Sequence, residues 1–173
     1  MSTLTLVHVG PLLEDSTSGL TDFLTNATGL ACRWSMENID PEPAYTPSRG
    51  QFDTRKLLPE LERIGGRDDA RAVGLTAVDL FSAVFTFVFG EAKLGGHAAI
   101  VSTHRLHPEV YGLPNDPALV RMRVRKEVLH ETGHLLGLVH CRDPQCVMRF
   151  SAVVEEIDIK SDRLCAACQA QLV

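Results

Sequence analysis

No stretch of this chain approaches the roughly 18 consecutive apolar residues that a membrane-crossing helix needs. The longest candidate, Ala77 to Gly90, is interrupted by Asp79 and Ser82. Positive charge is not in excess either. Seventeen Lys+Arg face 22 Asp+Glu, a net charge of −5, so no basic field recruits nucleic acid or an anionic membrane. The opening, MSTLTLVHVG, has no basic segment before its short apolar run, and no small-residue cleavage site follows. The expectation is a chain that stays in the cytoplasm. Repeats, low-complexity tracts and linkers are missing too. With 45% hydrophobic and 23% charged residues, the composition excludes a disordered chain, a collagen-like fibre and a coiled coil. The 173 residues suffice for one domain, 1–173, around one sizeable core.

What is present is concentrated near the end of the chain. Of five cysteines, Cys32 stands alone, while Cys141, Cys146, Cys165 and Cys168 crowd the last 33 residues. A secreted disulfide framework would spread its pairs along the chain. Cys-x4-Cys followed by Cys-x2-Cys falls within the spacings of structural zinc sites, and four thiolates close a tetrahedron. Such a site has no open position, so it holds structure and does no chemistry. Two disulfides or four idle thiols are the competing readings.

The rest of the chain reads as alternating strands and helices. Leu4 to Val9 alternates and ends at Gly10-Pro11, a strand and a turn. Leu20, Phe23, Leu24 and Ala27 fall at helical spacing and stop at Gly29. Ala31 to Met36 reads as a second strand, leading into a loop with Pro41, Pro43 and Pro47. Phe52, Leu57, Leu58, Leu61 and Ile64 suggest a second helix closed by Gly65-Gly66. Strand-like runs follow at Ala72 to Leu80, Val84 to Phe89 and Ala98 to Ser102. That order indicates an α/β sheet domain. Residues 104–118 read as loop, and a helix is expected from Pro117 to Leu138. Arg121, Arg123, Arg125 and Lys126 near its start read as a solvated face, since no aromatic residues interleave with them as nucleic-acid binding would favour.

The informative segment is HETGHLLGLVH, residues 130–140. On a helix His130 and His134 lie four apart, so their imidazoles share a face and can converge on one ion. Glu131 is rotated away from the metal yet within reach of a water beside it. Gly137 supplies the backbone freedom that ends the helix. The chain can then turn and bring His140 back as a third nitrogen ligand. Three neutral imidazoles leave a fourth position open, the arrangement of a catalytic zinc. At this chain's own residue frequencies the five fixed positions match by chance in only about 5 of 100,000 chains.

HExxHxxGxxH with a later methionine turn is the metzincin signature. The continuation narrows it: His140 is followed by Cys141, then Cys146, Val147 and Met148, then Cys165 and Cys168. This HExxHxxGxxHCx4CxM…CxxC string resembles the archaemetzincins, a metzincin branch of zinc peptidases. Arg105-Leu106, Tyr111-Gly112 and Lys126-Glu127 add to the likeness, which covers Arg105 to Cys168. The first 100 residues share only the order of elements, and the spacing from Met148 to Cys165 is one residue shorter than the resemblance leads one to expect.

The resemblance implies a twisted mixed sheet with backing helices, Met148 as the turn residue packed under the zinc histidines, and Ala98 to Ser102 as the edge strand that meets substrate. It also implies short peptides as substrates, cut from the N-terminal end, although no acidic cluster dedicated to a free amine is visible in the sequence. Without the resemblance, Met148 also reads as a gap-filling core residue. Tyr111 reads either as packing or as an oxyanion donor near zinc. His104 and His107 lack a helical frame and are not expected to bind metal. His8 reads as a core residue, and Cys32 as a buried thiol.

The reading that follows is a zinc peptidase with two zinc ions per chain. His130, His134 and His140 hold the catalytic one, and Cys141, Cys146, Cys165 and Cys168 the structural one. Glu131 serves as general base and then as proton donor to the leaving amine. Its partner is a peptide, not nucleic acid or membrane. Two competitors are a zinc-stabilised binding or regulatory module with a dormant site, and a four-cysteine finger on nucleic acid. The presence of Glu131 argues against the first, the acidic balance against the second.

Overall fold

The computed structural model describes residues 3–11, 13, 15–66 and 70–172; of the opening segment, Met1, Ser2, Leu12 and Glu14 lie outside this set. Strand β1 (Thr3–Val9) is followed by α1 (Leu20–Thr28), closed by Gly29 as the spacing predicts, and by β2 (Ala31–Ile39). β3 (Tyr45–Thr46) and β4 (Gln51–Asp53) lead into α2 (Thr54–Gly65), whose first turn is capped by the Asp53 carboxylate accepting from the Arg55 amide. β5 (Arg71–Thr76), β6 (Leu80–Phe81), β7 (Gly90–Ala92) and β8 (Ala98–Ser102) complete the strands. Three helices follow: α3 (Pro117–Leu135), α4 (Val154–Ile159) and α5 (Ala166–Gln169). Among the described residues, no helix is long and apolar enough to cross a membrane.

The main sheet runs β2-β1-β5-β8-β7, parallel except for β7, which pairs antiparallel with β8. A small second sheet has the order β3-β4-β6. Both faces of the main sheet are covered, which is why its central strands read as nearly continuous apolar runs. Leu4, Leu6, Val73, Leu75, Ala99 and Val101 pack with α1 and α3, while Val7, Val9, Ala72, Ala98 and Ile100 pack with Leu57, Leu61 and Ile64 of α2.

Three expectations change. Ala98 to Ser102 is not the edge strand: β8 lies between β5 and β7, with Glu91 opposite Ile100, so Gly90–Ala92 forms the edge. Residues 84–89 do not form a strand; apart from a bridge from Val88 to Leu80 they run as an irregular segment towards β7. The third concerns the basic residues of α3. Arg123 and Lys126 are buried, not solvated. Arg123 donates to both Asp158 oxygens at 2.8 and 2.7 Å and to the Leu106 carbonyl at 2.7 Å. Lys126 Nζ donates to the Ile157 and Asp158 carbonyls at 2.9 and 3.1 Å, placing an ammonium at the negative end of α4. Once α4 covers this side of α3, its charges need partners, and Asp158 and the α4 carbonyls supply them.

Candidate metal and active-site centre

α3 begins at Pro117, with the Asp116 side chain accepting from the Leu119 amide. It ends at Leu135, three residues before the expected boundary. The Gly137 amide donates to the His134 carbonyl and the Leu138 amide to the Gly133 carbonyl, at 3.0 and 2.9 Å. That pattern needs a left-handed residue, and Gly137 has φ 91°. The reversal carries His140 back over the helix.

The three imidazoles meet. His134 Nε2 lies 3.1 Å from His130 Nε2 and 3.2 Å from His140 Nε2. Donors around one tetrahedral zinc, each about 2.0–2.1 Å from it, stand about 3.3 Å apart. The other nitrogens are engaged: His130 Nδ1 donates to the Val147 carbonyl at 2.8 Å and His134 Nδ1 to the Leu138 carbonyl at 2.7 Å. With the ring proton on Nδ1, Nε2 presents a lone pair. Burial lowers the pKa of all three, His130 well below the usual range, and the nearby Lys160 ammonium acts in the same direction. Neutral imidazoles with converging lone pairs are what a zinc ion requires.

Glu131 is buried beside them. Its carboxyl is held well above the ordinary range by burial first and by the Glu127 carboxylate second, with Lys160 opposing. Oε2 has no hydrogen-bond partner among the described residues. Space for this side chain comes from Gly90 on β7, where a Cβ would stand 2.7 Å from Glu131 Cγ and Oε1. Met148 is fully buried against α3. A Cβ on Gly133 would stand on its Sδ, so the glycine before His134 is what admits the thioether.

The thiols of Cys141, Cys146, Cys165 and Cys168 gather with all four sulfurs within 4.8 Å of one another. Cys141 and Cys165 Sγ are 3.8 Å apart. Thiolates around one zinc, with bonds of about 2.3 Å, stand about 3.8 Å apart. The Cys168 amide, first among several hydrogen bonds, draws the Cys165 thiol down to about 7, while burial pushes Cys146 and Cys168 up. Both donor sets fit zinc. The two sets share one segment: Cys141 follows His140, and Val147, next to Cys146, provides the carbonyl that orients His130. Cys32 stays apart on β2, its thiol pushed up to about 12 by burial.

A cleft of about 400 Å³ opens over the histidines. One wall is the segment Phe85–Ala92, the floor is α3, and Phe150–Ala152 form the far side. Tyr111 does not line it; its hydroxyl donates to the Arg105 carbonyl at 2.8 Å, a packing role. His104 and His107 are not part of the histidine cluster. His8 stacks on Trp34 at 4.2 Å.

Several residues escaped the sequence reading. Glu91 lines the cleft and has a buried oxygen, Oε2, without a hydrogen-bond partner among the described residues. Glu127 lines it too and pairs at 2.9 Å with Lys160, a fully buried lysine that also donates to the Arg149 carbonyl. Phe85 and Phe150 face each other across the mouth. The pair Lys126-Glu127 was a signal in hand, but nothing local shows that one member serves α4 and the other the cleft.

The model of peptidase family M54 matches residues 36–173. Among curated proteins, the chain is 42% identical over 138 residues to the archaemetzincin of Methanocaldococcus jannaschii, covering 79% of this chain and 75% of that one. It is 47% identical over 131 residues to the archaemetzincin of Thermococcus kodakarensis, covering 75% and 70%. Among solved structures, a zinc-dependent peptidase from Methanocorpusculum labreanum superposes with a TM-score of 0.88 at 28% identity, covering 98% of this chain and all of that one. The archaemetzincin of Methanopyrus kandleri gives a TM-score of 0.85 at 36% identity, covering 99% and 93%.

Proposed function

The chain belongs to peptidase family M54, the archaemetzincins, as a zinc metallopeptidase, and from that premise we propose that Glu131 and the three histidines hydrolyse a peptide bond in the cleft above them. The observation that carries this is the meeting of three Nε2 lone pairs beside a buried carboxyl with one unpartnered oxygen. His130, His134 and His140 would hold the catalytic zinc, which when bound would supply Lewis-acid polarisation of the scissile carbonyl and lower the pKa of water towards neutrality. Glu131 is the general base that takes a proton from the attacking water and returns it to the nitrogen of the leaving amine. Gly90 leaves its carboxyl room to stand in the cleft, and the Val147 and Leu138 carbonyls hold His130 and His134 in the ligand tautomer.

Cys141, Cys146, Cys165 and Cys168 hold a second, structural zinc, giving two per chain. The catalytic unit is the single domain 1–173, acting in the cytoplasm, where reducing conditions keep four thiols available to metal. Glu91 supports cleavage from the N-terminal end, because a carboxylate lining the cleft wall matches a free ammonium.

Glu131→Gln tests the central assignment. It preserves shape, so zinc content and the far-UV spectrum should persist while turnover of a peptide library falls by at least about 100-fold. A pure variant as fast as the wild type overturns the role of Glu131. A zinc-loaded wild type that cleaves no library peptide makes the chain a binding module with a dormant site.

A further inference from the structure

Four of the chain's seven phenylalanines, Phe85, Phe87, Phe89 and Phe150, line the cleft. They do different jobs. Phe89 is buried and packs edge-to-face with Phe87 at 5.4 Å. Phe87 is clamped under the Arg105 guanidinium at 4.2 Å, and Arg105 is itself fixed by Asp79 through two bonds of 2.7 and 2.8 Å. These contacts fix the position of the Phe87 and Phe89 rings in the wall. Phe85 and Phe150 remain half in water, 52% and 46% exposed. They come from opposite lips, with ring centroids 6.5 Å apart and planes 35° from parallel. Phe150 also lies 5.2 Å from the His140 ring. Two large rings left exposed beside a reactive centre mark a surface that something apolar covers. The acidic residues lining the cleft are Glu91, Glu127 and Glu131, with no lysine or arginine among its lining residues. An acidic side chain entering there would lose water and meet no basic partner.

We propose that Phe85 and Phe150 form a specificity slot that receives a large apolar side chain, aromatic above all, from the substrate residue beside the scissile bond on the His140 side. The inference rests on the reading of the cleft as a peptide-hydrolysing site and adds the class of peptide it takes. The incoming ring packs against the exposed faces of the Phe85–Phe150 pair, already in aromatic contact at 6.5 Å, the Phe87–Phe89 wall backs it, and the absence of basic lining residues turns away aspartate and glutamate. Phe85 and Phe150 are specificity-determining residues; neither moves a proton.

The test uses binding as well as turnover, so that it survives failure of the catalytic reading. Zinc-loaded Glu131→Gln protein is titrated with three peptides identical except for Phe, Ala or Glu at the varied position, and wild type is assayed on the same set. The expected order is Phe, Ala, Glu, with Phe favoured over Ala by at least about 20-fold in Kd and in kcat/KM. Phe85→Ser with Phe150→Ser should shrink that ratio to within about threefold. Both side chains are half-exposed, and an unchanged thermal melt verifies the fold. Phe150→Leu should keep apolar over acidic while lowering Phe against Leu peptides. Equal affinity for the three peptides, a preference for Glu, or a Phe-to-Ala ratio untouched by the serine pair overturns the slot. Absence of turnover with the binding order intact overturns the catalytic reading and leaves the slot standing.

Discussion

Gly133→Ala sets a methyl group against the thioether that packs under the histidines, and the packing sets its cost. A Cβ on Gly133 would stand on Met148 Sδ and 3.0 Å from its Cε, and Met148 is fully buried. The helix would gain about 1 kcal/mol from Ala in place of Gly. Overpacking a filled core costs about 1–3 kcal/mol. The single variant should therefore lose about 0–2 kcal/mol. Met148→Ala opens a cavity instead and should cost about 2–5 kcal/mol. In the double variant the new methyl enters the space the thioether has left, so the helical gain is kept and the clash disappears. The double variant should be at least about 1 kcal/mol more stable than the two single losses predict. Urea unfolding of the four zinc-saturated proteins measures this. Additivity within about 0.5 kcal/mol would refute the contact as the reason for glycine at this position. Because Val147 precedes Met148 and holds His130 through its carbonyl, Gly133→Ala should also weaken zinc binding at the histidines by about tenfold or more.

Protein purified without chelator should carry about two zinc ions per chain by elemental analysis. Alanine at His130, His134 or His140 should remove one and alanine at Cys165 or Cys168 the other, and a single substitution that empties both sites of a folded protein would contradict two independent donor sets. Mild chelation should remove the histidine-bound ion first, since three protein ligands leave it approachable, with the far-UV spectrum nearly unchanged. Residues 141–173 should become protease-sensitive only when the second ion leaves, and loosening before the first loss would reverse the two roles. Lys160→Met strands Glu127 as a buried, unpaired carboxylate and should cost about 3–5 kcal/mol in chemical denaturation. Adding Glu127→Leu should recover most of it, and an undiminished loss would show that the pair is not the cause.

Much of the architecture was legible because it depends on local rules. Helix α1 stops where Gly29 takes a left-handed φ, and α2 closes at the Gly65-Gly66 pair. His130 and His134 share a face by helical geometry alone, and Gly137 announced the reversal that returns His140. The cysteine spacings bring the members of each pair together across one short turn, and the fold of the segment containing α4 then joins the two pairs. Helix α3 ends three residues earlier than the spacing predicts, because the leucine-rich run continues past the last helical hydrogen bonds.

The sequence by itself thus determined an α/β domain from the order of its elements, the two donor sets from their short spacings, and the carboxyl of Glu131 next to His130. Only the tertiary structure decided which strand lies at the edge, because strand order is a choice among distant partners and β7 adds to β8 by folding back on it. It decided too that Arg123 and Lys126 are buried, since Ile157 of α4 lies 31 residues along the chain from Lys126 and its carbonyl is invisible to periodicity. The slot of Phe85 and Phe150 and the acidic wall of Glu91 and Glu127 belong to the same class. Side chains from the segment before β7, from α3 and from the stretch after Met148 become neighbours only when the sheet and the helix pack, because burial of their shared core, and no local rule, brings them together.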